Sequence, residues 1–413
     1  MIKFERSVLN NGLKVLVNED FSTPLAAVNI MYDVGSSDED PENTGFAHLF
    51  EHFMFAGSEN IPKYDEPLER VGGQNNAFTN SDITNYYCTL PVQNIETAFC
   101  LESDRMLNLL FTEKNLEIQK SVVIEEFKQN YLNQPYGDVW LHLRPLAYKV
   151  HPYKWSTIGK NTEHIRNASM DNVRAFYKKF YNPCNAVLTV AGGIKADLVF
   201  ELAEKWFGSV RNNGIMNRLL PEEPVQEIPR ILSLKRDVPL EAIYKVFHMC
   251  SRTDPNYYVV DLISDILSNG DSSRLYQILV KKKKIFNNIS AYVTGDRDAG
   301  LFVISGNLNQ NVSMKKAEDA INIELDKLKD EMVDDQELIK VKNKIESSLI
   351  FSESNTLNRA INLSYYEILK NASMINELTD MYQKVEINDI KSEAVNLFDK
   401  NNCSTLYYTS DKK

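Results

Sequence analysis

The sequence predicts an α+β fold made of two tandem, related domains. Its 413 residues are too many for one ordinary domain and fit two domains of about 200 residues each. A hydrophobic content of 43% with 25% charged residues is typical of a globular protein with a substantial core. Residues 24–28 (PLAAV) resemble residues 239–243 (PLEAI), and both strand-like runs continue to a serine at the same spacing, Ser36 and Ser251. The repeat favours two copies of one α+β unit.

Strands and helices alternate along the N-terminal half. Runs of branched or alternating apolar residues predict strands, and apolar residues three or four positions apart predict helices. The predicted strands are 14–17, which follows the Asn11-Gly12 turn, 27–34, 84–90 and 186–191. The predicted helices are 45–55, 95–110, 116–132, 170–181 and 196–207.

A stretch with weak periodicity separates the two halves. It contains Asn212, Asn213 and Gly214 and lies among three prolines, a composition typical of an interdomain linker. We therefore predict an N-terminal domain of residues 1–212, a linker of residues 213–228 and a related C-terminal domain of residues 229–413.

Composition and charge exclude several classes of function. The formal net charge of -11 argues against non-specific nucleic-acid binding, which needs a basic surface. The five cysteines are scattered without a CxxC pair, so neither a disulfide framework nor a thiolate zinc site is predicted. No apolar run is long enough for a membrane span, and the N-terminus has no signal core. The expected location is the cytoplasm, or the periplasm if a leader has been removed.

The pentapeptide HLFEH at residues 48–52 carries the strongest chemical signal. Residues four apart on a helix share a face, so His48 and His52 can direct two imidazoles at one metal ion. Glu51 lies between them and is placed to act as a base without binding the ion. The order His-x-x-Glu-His is an inverted zinc-peptidase motif. Two ordinary histidines that happen to be neighbours remain an alternative on these five residues alone.

A catalytic zinc keeps three protein ligands, so a third ligand is needed from another element. The best candidates are Glu125 and Glu126, which interrupt an otherwise apolar helical stretch. Buried carboxylates are costly unless they are paired or bind a cation. The ordinary alternative is that both acids lie on a solvated face of the helix. The sequence pattern does not distinguish Glu125 from Glu126 as the ligand.

Five segments together resemble the pitrilysin, or insulinase, family of zinc peptidases, in particular its short branch related to the mitochondrial processing peptidase. The resemblance extends over nearly the whole chain. The matching segments are 35–39 (GSSDE), 45–57 (GFAHLFEHFMFAG), 72–79 (GGQNNAFT), 119–126 (QKSVVIEE) and 273–276 (SRLY).

This resemblance implies a fold and a metal site. Each domain would be a mainly antiparallel sheet packed with helices, and the two would enclose a cavity. One Zn²⁺ per chain would be held by His48, His52 and Glu126, and Glu51 would activate a zinc-bound water for peptide hydrolysis. The C-terminal domain would have no metal ligands. Gln119 stands where the family often has a glutamate, so it would support the ligand from outside the metal shell without a charge.

The resemblance also implies a substrate and a partner. An extended peptide or small unfolded protein would pair with a sheet edge at Asn76, Ala77 and Thr79. The family's C-terminal domain supplies an Arg and a Tyr to the peptide, but this chain has Val280 and Asn287 at those places. We therefore expect a heterodimer with a sister chain that lacks the zinc motif, or a homodimer. A non-catalytic or partner-dependent peptide-binding or scaffold subunit is the alternative.

Overall fold

The structure is a computed structural model that describes residues 1–214 and 218–411. Residues 215–217 of the predicted linker and residues 412–413 of the predicted C-terminal domain lie outside the described ranges. The chain forms two compact units, the first comprising Met1–Asn130, Trp155–Leu220 and Ile350–Glu377, and the second comprising Tyr131–Lys154, Pro221–Leu349 and Leu378–Lys413. The predicted boundaries follow the order of the chain, whereas each unit also contains a segment from the other half.

The described residues form two sheets and a set of helices. The strands are β1 Glu5–Val8, β2 Lys14–Glu19, β3 Leu25–Tyr32, β4 Gln74–Thr79, β5 Thr84–Pro91, β6 Ala186–Gly192, β7 Arg230–Arg236, β8 Ala242–His248, β9 Phe286–Val293, β10 Leu301–Leu308 and β11 Cys403–Ser410. The helices are α1 Phe46–Phe53, α2 Asp65–Arg70, α3 Ile95–Leu107, α4 Glu113–Phe127, α5 Val139–Ala147, α6 Thr162–Arg166, α7 Met170–Phe180, α8 Ala196–Phe207, α9 Tyr257–Ser268, α10 Met314–Asp330, α11 Asp335–Glu353, α12 Thr356–Leu369, α13 Leu378–Gln383 and α14 Ile387–Leu397.

The first sheet has the order β1-β2-β6-β3-β5-β4. All neighbours pair antiparallel except β2 and β6, which are parallel. The central strands are almost wholly buried, and their sequences are mainly apolar with one buried polar residue each, Asn29 and Thr189. Strand β4 lies at one edge, so one of its sides has no partner strand within the sheet.

The second sheet repeats this topology strand for strand. Its order is β7-β11-β8-β10-β9, which matches β2-β6-β3-β5-β4 of the first sheet without an equivalent of β1, and the parallel pair β7 and β11 corresponds to β2 and β6. Strands β3 and β8 occupy equivalent central positions, and they contain the sequence repeat recognised at residues 24–28 and 239–243. The prediction of two related, mainly antiparallel α+β domains is therefore confirmed.

Helices from distant parts of the chain complete each unit. Helix α12 packs on β3 and β6 of the first sheet, where Ala360 contacts Ala27 and Ala191. Helix α5 packs on β7, β8 and β11 of the second sheet. Small and apolar side chains at these contacts allow close helix–sheet packing, so each core includes a segment that lies far away in the sequence.

The predicted elements of the N-terminal half are present with small shifts at their ends. One such difference is at α3, which ends at Leu107 although apolar spacing continues to residue 110. Leu109 instead forms a bridge with Ser58, and the amide of Leu110 donates to the carbonyl of Gly57. This pairing satisfies the backbone outside the helix, so the apolar pattern alone overestimates its length.

Candidate metal centre

Helix α1 divides its eight residues between a buried and an open face. Its aromatic and aliphatic members are buried, namely Phe46, Ala47, Leu49, Phe50 and Phe53. The remaining residues, His48, Glu51 and His52, lie on the other face, and the two imidazole centroids are 4.9 Å apart. Burial of the apolar face therefore orients the two histidines and the acid in one direction.

A buried carboxylate holds the first turn of α1. The two oxygens of Glu39 accept hydrogen bonds from the amides of Gly45 and Ala47, each at 2.8 Å. Gly45 precedes the helix with φ +91°, and a Cβ there would lie 2.7 Å from the Ile158 carbonyl oxygen, so only glycine fits. Glu39 thus satisfies amides that a helix start leaves free. Burial raises the pKa of Glu39 well above its usual value.

An ion-pair cluster anchors the loop that carries Glu39. The guanidinium of Arg218 lies 2.9 Å from Asp38 and 2.8 Å from Asp82, and it also contacts Ser37. Burial raises the pKa of Asp38 to about 6, although the arginine opposes this shift. Trp155 adds a hydrogen bond of 2.8 Å from its indole nitrogen to the Ser36 carbonyl. The loop before the metal helix is therefore fixed by side chains from distant segments.

Helix α4 brings a carboxylate to the two imidazoles. Glu126 Oε2 lies 3.3 Å from His52 Nε2 and 3.7 Å from His48 Nε2. One ligand atom from each of the three residues lies within 4.8 Å of the other two. Among the described residues no other group of three His, Cys, Asp or Glu side chains meets this criterion. Two imidazoles and one carboxylate are the donor set of many catalytic zinc sites, so the three residues fit a zinc ion.

The structure distinguishes between the two adjacent acids of α4, Glu125 and Glu126. Glu126 is half-buried beside the imidazoles, and its Oε1 accepts a hydrogen bond of 3.4 Å from Asn130. Glu125 is 70% exposed and forms an ion pair of 2.6 Å with Lys128. Only Glu126 is therefore placed to bind a metal ion together with His48 and His52.

The surroundings of His48 and Glu126 favour the forms of these side chains that can bind a cation. Burial lowers the pKa of the His48 imidazole, which favours the neutral ring. The imidazole of His52 lowers the pKa of the Glu126 carboxyl, which favours the carboxylate. Glu51 is half-buried on the same face, and no described residue forms a hydrogen bond or ion pair with its carboxylate. Its oxygens are thus available to accept a proton.

The predicted peptide-binding residues lie on the edge strand β4. Asn76 is exposed, and Ala77 and Thr79 are half-buried. The Asn76 side chain accepts a hydrogen bond of 2.8 Å from the Ala77 amide. Helix α1 packs against β4, so this edge strand lies beside the histidine helix in the same unit.

The other residues singled out in the sequence are Gln119, Val280 and Asn287, and their positions in the structure indicate no particular role. Gln119 is half-buried on α4, two turns before Glu126, and forms no hydrogen bond with a described residue. Val280 lies in a π-helical turn, Tyr276–Lys282, and Asn287 is exposed on β9. Arg274 pairs with Glu337 at 2.6 Å, so its guanidinium has a structural partner within the second unit.

Sequence reasoning missed three residues that support α1. Glu39 lies six residues before Gly45, which is not the spacing of a standard capping box, and Arg218 falls in the predicted linker. Tyr86 lies within the predicted strand 84–90, whose pattern gives no sign that its hydroxyl reaches the Phe50 carbonyl of α1. The only sequence signals were a family-like GSSDE segment and polar residues within apolar runs.

Two family models match consecutive parts of the chain. Residues 14–160 match the model described as insulinase, peptidase family M16, and residues 167–345 match the model described as the peptidase M16 inactive domain. The first match contains His48, His52 and Glu126, whereas the second begins after these residues and extends far into the C-terminal half. Among the described residues, no helix has the length and apolarity needed to cross a bilayer.

The chain is similar in sequence to proteins named as peptidases and in fold to a solved protease structure. The zinc protease PqqE of Helicobacter pylori is 27% identical over 98% of this chain and 92% of its own length. A probable mitochondrial-processing peptidase subunit beta of Arabidopsis thaliana is 25% identical over 85% of this chain and 67% of its own length. The crystal structure of a protease from Helicobacter pylori covers 99% of this chain and 100% of its own, with a TM-score of 0.93 and 26% identity.

Proposed function

Because the chain belongs to the insulinase, or M16, family of peptidases, we propose that it is a zinc-dependent endopeptidase acting on extended peptides or small unfolded proteins. The observation that carries the proposal is the convergence of His48, His52 and Glu126 within 4.8 Å on the helix face that also carries Glu51. Relatives named zinc protease support the choice of metal and reaction.

The roles of the residues follow from their chemistry. His48, His52 and Glu126 would hold one zinc ion and leave one position open. When bound, zinc supplies a Lewis acid that polarises a carbonyl and makes a water more acidic. Glu51 accepts a proton as water attacks the scissile carbonyl and then gives that proton to the leaving amine.

The edge of β4 is suited to hold an extended substrate. A peptide that adds a strand there gains main-chain hydrogen bonds with little dependence on its sequence. The Ala77 amide is one such group, and at present it donates to the Asn76 side chain. We propose that Asn76 releases this amide to the substrate, while Ala77 and Thr79 provide backbone pairing on the same strand.

Replacing Ala77 by Pro tests this edge. Proline removes the amide but is tolerated on an edge strand when the missing N–H faces away from the neighbouring strand. We expect KM for an unstructured peptide to rise about fivefold or more, the value of one hydrogen bond, with little change in thermal stability. Ala77→Ser keeps the amide and should leave KM nearly unchanged. Equal KM values for both variants and the wild type would exclude pairing through this amide.

Removing the metal tests the proposed reaction. The purified protein should contain one zinc per chain and cleave an unstructured peptide, and a chelator should abolish cleavage until zinc is restored. Metal content by mass spectrometry and cleavage by chromatography provide the two measurements. Cleavage that persists after zinc has been removed completely would overturn the proposal.

A partner-dependent role is the second candidate, and one observation favours it. Val280 and Asn287 cannot supply the cationic and phenolic groups expected from the resemblance. One relative is named a subunit of a peptidase, which supports a heterodimer with a sister chain lacking the zinc motif, or a homodimer. In that case the zinc-loaded chain would bind peptides alone but cleave them only with the second chain present.

A further inference from the structure

A buried ion pair lies behind the metal helix, in the core of the first unit. The side chains of Arg105 and Glu102 are 1% and 2% exposed and contact each other at 2.5 Å. The hydroxyl of Tyr64 donates to the second oxygen of Glu102 at 2.6 Å. Burying two charges costs free energy that their attraction often does no more than offset, so the pair need not be a source of stability.

Aromatic rings surround the arginine. The guanidinium carbon lies 4.4 Å from the Tyr86 ring centroid, 4.6 Å from that of Tyr64 and 5.5 Å from that of Phe55. A desolvated guanidinium over a ring face is attracted by the quadrupole of the ring. The ion pair therefore restrains the ring of Tyr86, which is itself fully buried.

The hydroxyl of Tyr86 reaches the metal helix. It donates a hydrogen bond of 3.2 Å to the Phe50 carbonyl and lies 3.1 Å from the Tyr181 hydroxyl. The same carbonyl accepts the Met54 amide at 3.0 Å, so both of its lone pairs are used. Phe50 immediately precedes Glu51, and the contact therefore acts on the peptide unit that carries the candidate base.

The length of α1 makes this contact important. A helix of eight residues is marginal by itself, and half of its carbonyls belong to its last turn. A site must hold its reacting groups within about 0.5 Å and 10–20° of the productive geometry. Glu39 fixes the amide end of α1, but rotation about the helix axis also has to be limited at the carbonyl end. Among the described residues, the buried side chain of Tyr86 supplies a hydrogen bond there.

We propose that Tyr86 is a positioning residue for Glu51: its hydroxyl, oriented by the Glu102–Arg105 pair, fixes the last turn of α1. This inference rests on the proposed function for its kinetic consequence, but not for its structural one. The Tyr86 hydroxyl contacts the backbone of α1 rather than the candidate metal ligands, so it would influence catalysis through the orientation of the helix.

Tyr86→Phe isolates the hydroxyl because it keeps the ring over Arg105. Tyr177→Phe is a matched control, since the Tyr177 ring belongs to the same aromatic cluster and its hydroxyl donates to the carbonyls of Arg105 and Met106 rather than to α1. Both variants lose a hydrogen-bonded tyrosine hydroxyl within one aromatic cluster. A general loss of packing would affect them alike, whereas positioning of α1 would affect only the first.

Two measurements test the inference. In metal-free protein, hydrogen exchange of peptides covering 46–53 should be about fivefold faster in Tyr86→Phe and unchanged in Tyr177→Phe. In zinc-loaded protein, kcat should fall about tenfold in Tyr86→Phe, with KM and zinc content unchanged, and should stay near wild type in the control. Unchanged exchange in α1, or equal changes in both variants, would overturn the inference. Wild-type protein without zinc-dependent cleavage would instead contradict the proposed function, and the exchange result would still decide the role of Tyr86.

Discussion

Replacing Glu51 by Gln is expected to abolish peptide cleavage while zinc stays bound. The amide has nearly the shape of the carboxylate but cannot accept the proton of the attacking water. General base catalysis contributes about 100- to 10,000-fold, so kcat should fall by a factor in that range. His48, His52 and Glu126 are untouched by the change, so metal content should remain one zinc per chain. Paired measurements of cleavage and zinc content check both statements.

The control for this variant is Glu59→Gln, which makes the same chemical change at an exposed site soon after α1. It should cleave at the wild-type rate. Cleavage by Glu51→Gln at that rate would remove Glu51 from the mechanism. Loss of zinc from Glu51→Gln would show instead that its carboxylate supports the metal site, and the loss of activity would then have a different cause.

Local sequence patterns were sufficient to predict α1 and the direction of its polar face. His48, Glu51 and His52 lie within one helical turn, and the apolar residues between them determine which side is buried. The same reasoning predicted the helix that carries Glu126. It could not choose between Glu125 and Glu126, because that choice depends on how α4 lies against α1, and this contact joins residues more than seventy positions apart.

Contacts between segments far apart in the sequence could not be predicted from local patterns. Arg218 reaches Asp38 and Asp82 from a stretch whose composition indicates only a linker. The packing of α12 on the first sheet likewise joins residues near 360 to β3, which begins at residue 25, and to β6, which begins at residue 186. Such contacts leave no periodic signal, since each depends on a single side chain or on small residues at one contact. The repeated sheet topology was predictable because a strand-like segment recurs at the equivalent central position in both sheets.

Replacing Glu126 by Gln is expected to remove zinc from the protein. The amide lacks the negative charge that completes the ligand set with His48 and His52. Outer partners of metal ligands already contribute about 10- to 100-fold to affinity, so loss of a direct ligand should weaken zinc binding by more than about 100-fold. Cleavage should disappear with the metal. Zinc titration against a competing chelator measures the affinity directly.

Glu125→Gln provides an unusually close control, because it makes the same change one residue earlier on the same helix. Its carboxylate is 70% exposed and pairs with Lys128, an interaction that is worth little in water. Zinc affinity and cleavage should therefore match the wild type. If both variants kept zinc, the third ligand would have to lie elsewhere, and if both lost it, the effect would come from α4 as a whole. Only loss in Glu126→Gln alone fits coordination by two imidazoles and this carboxylate.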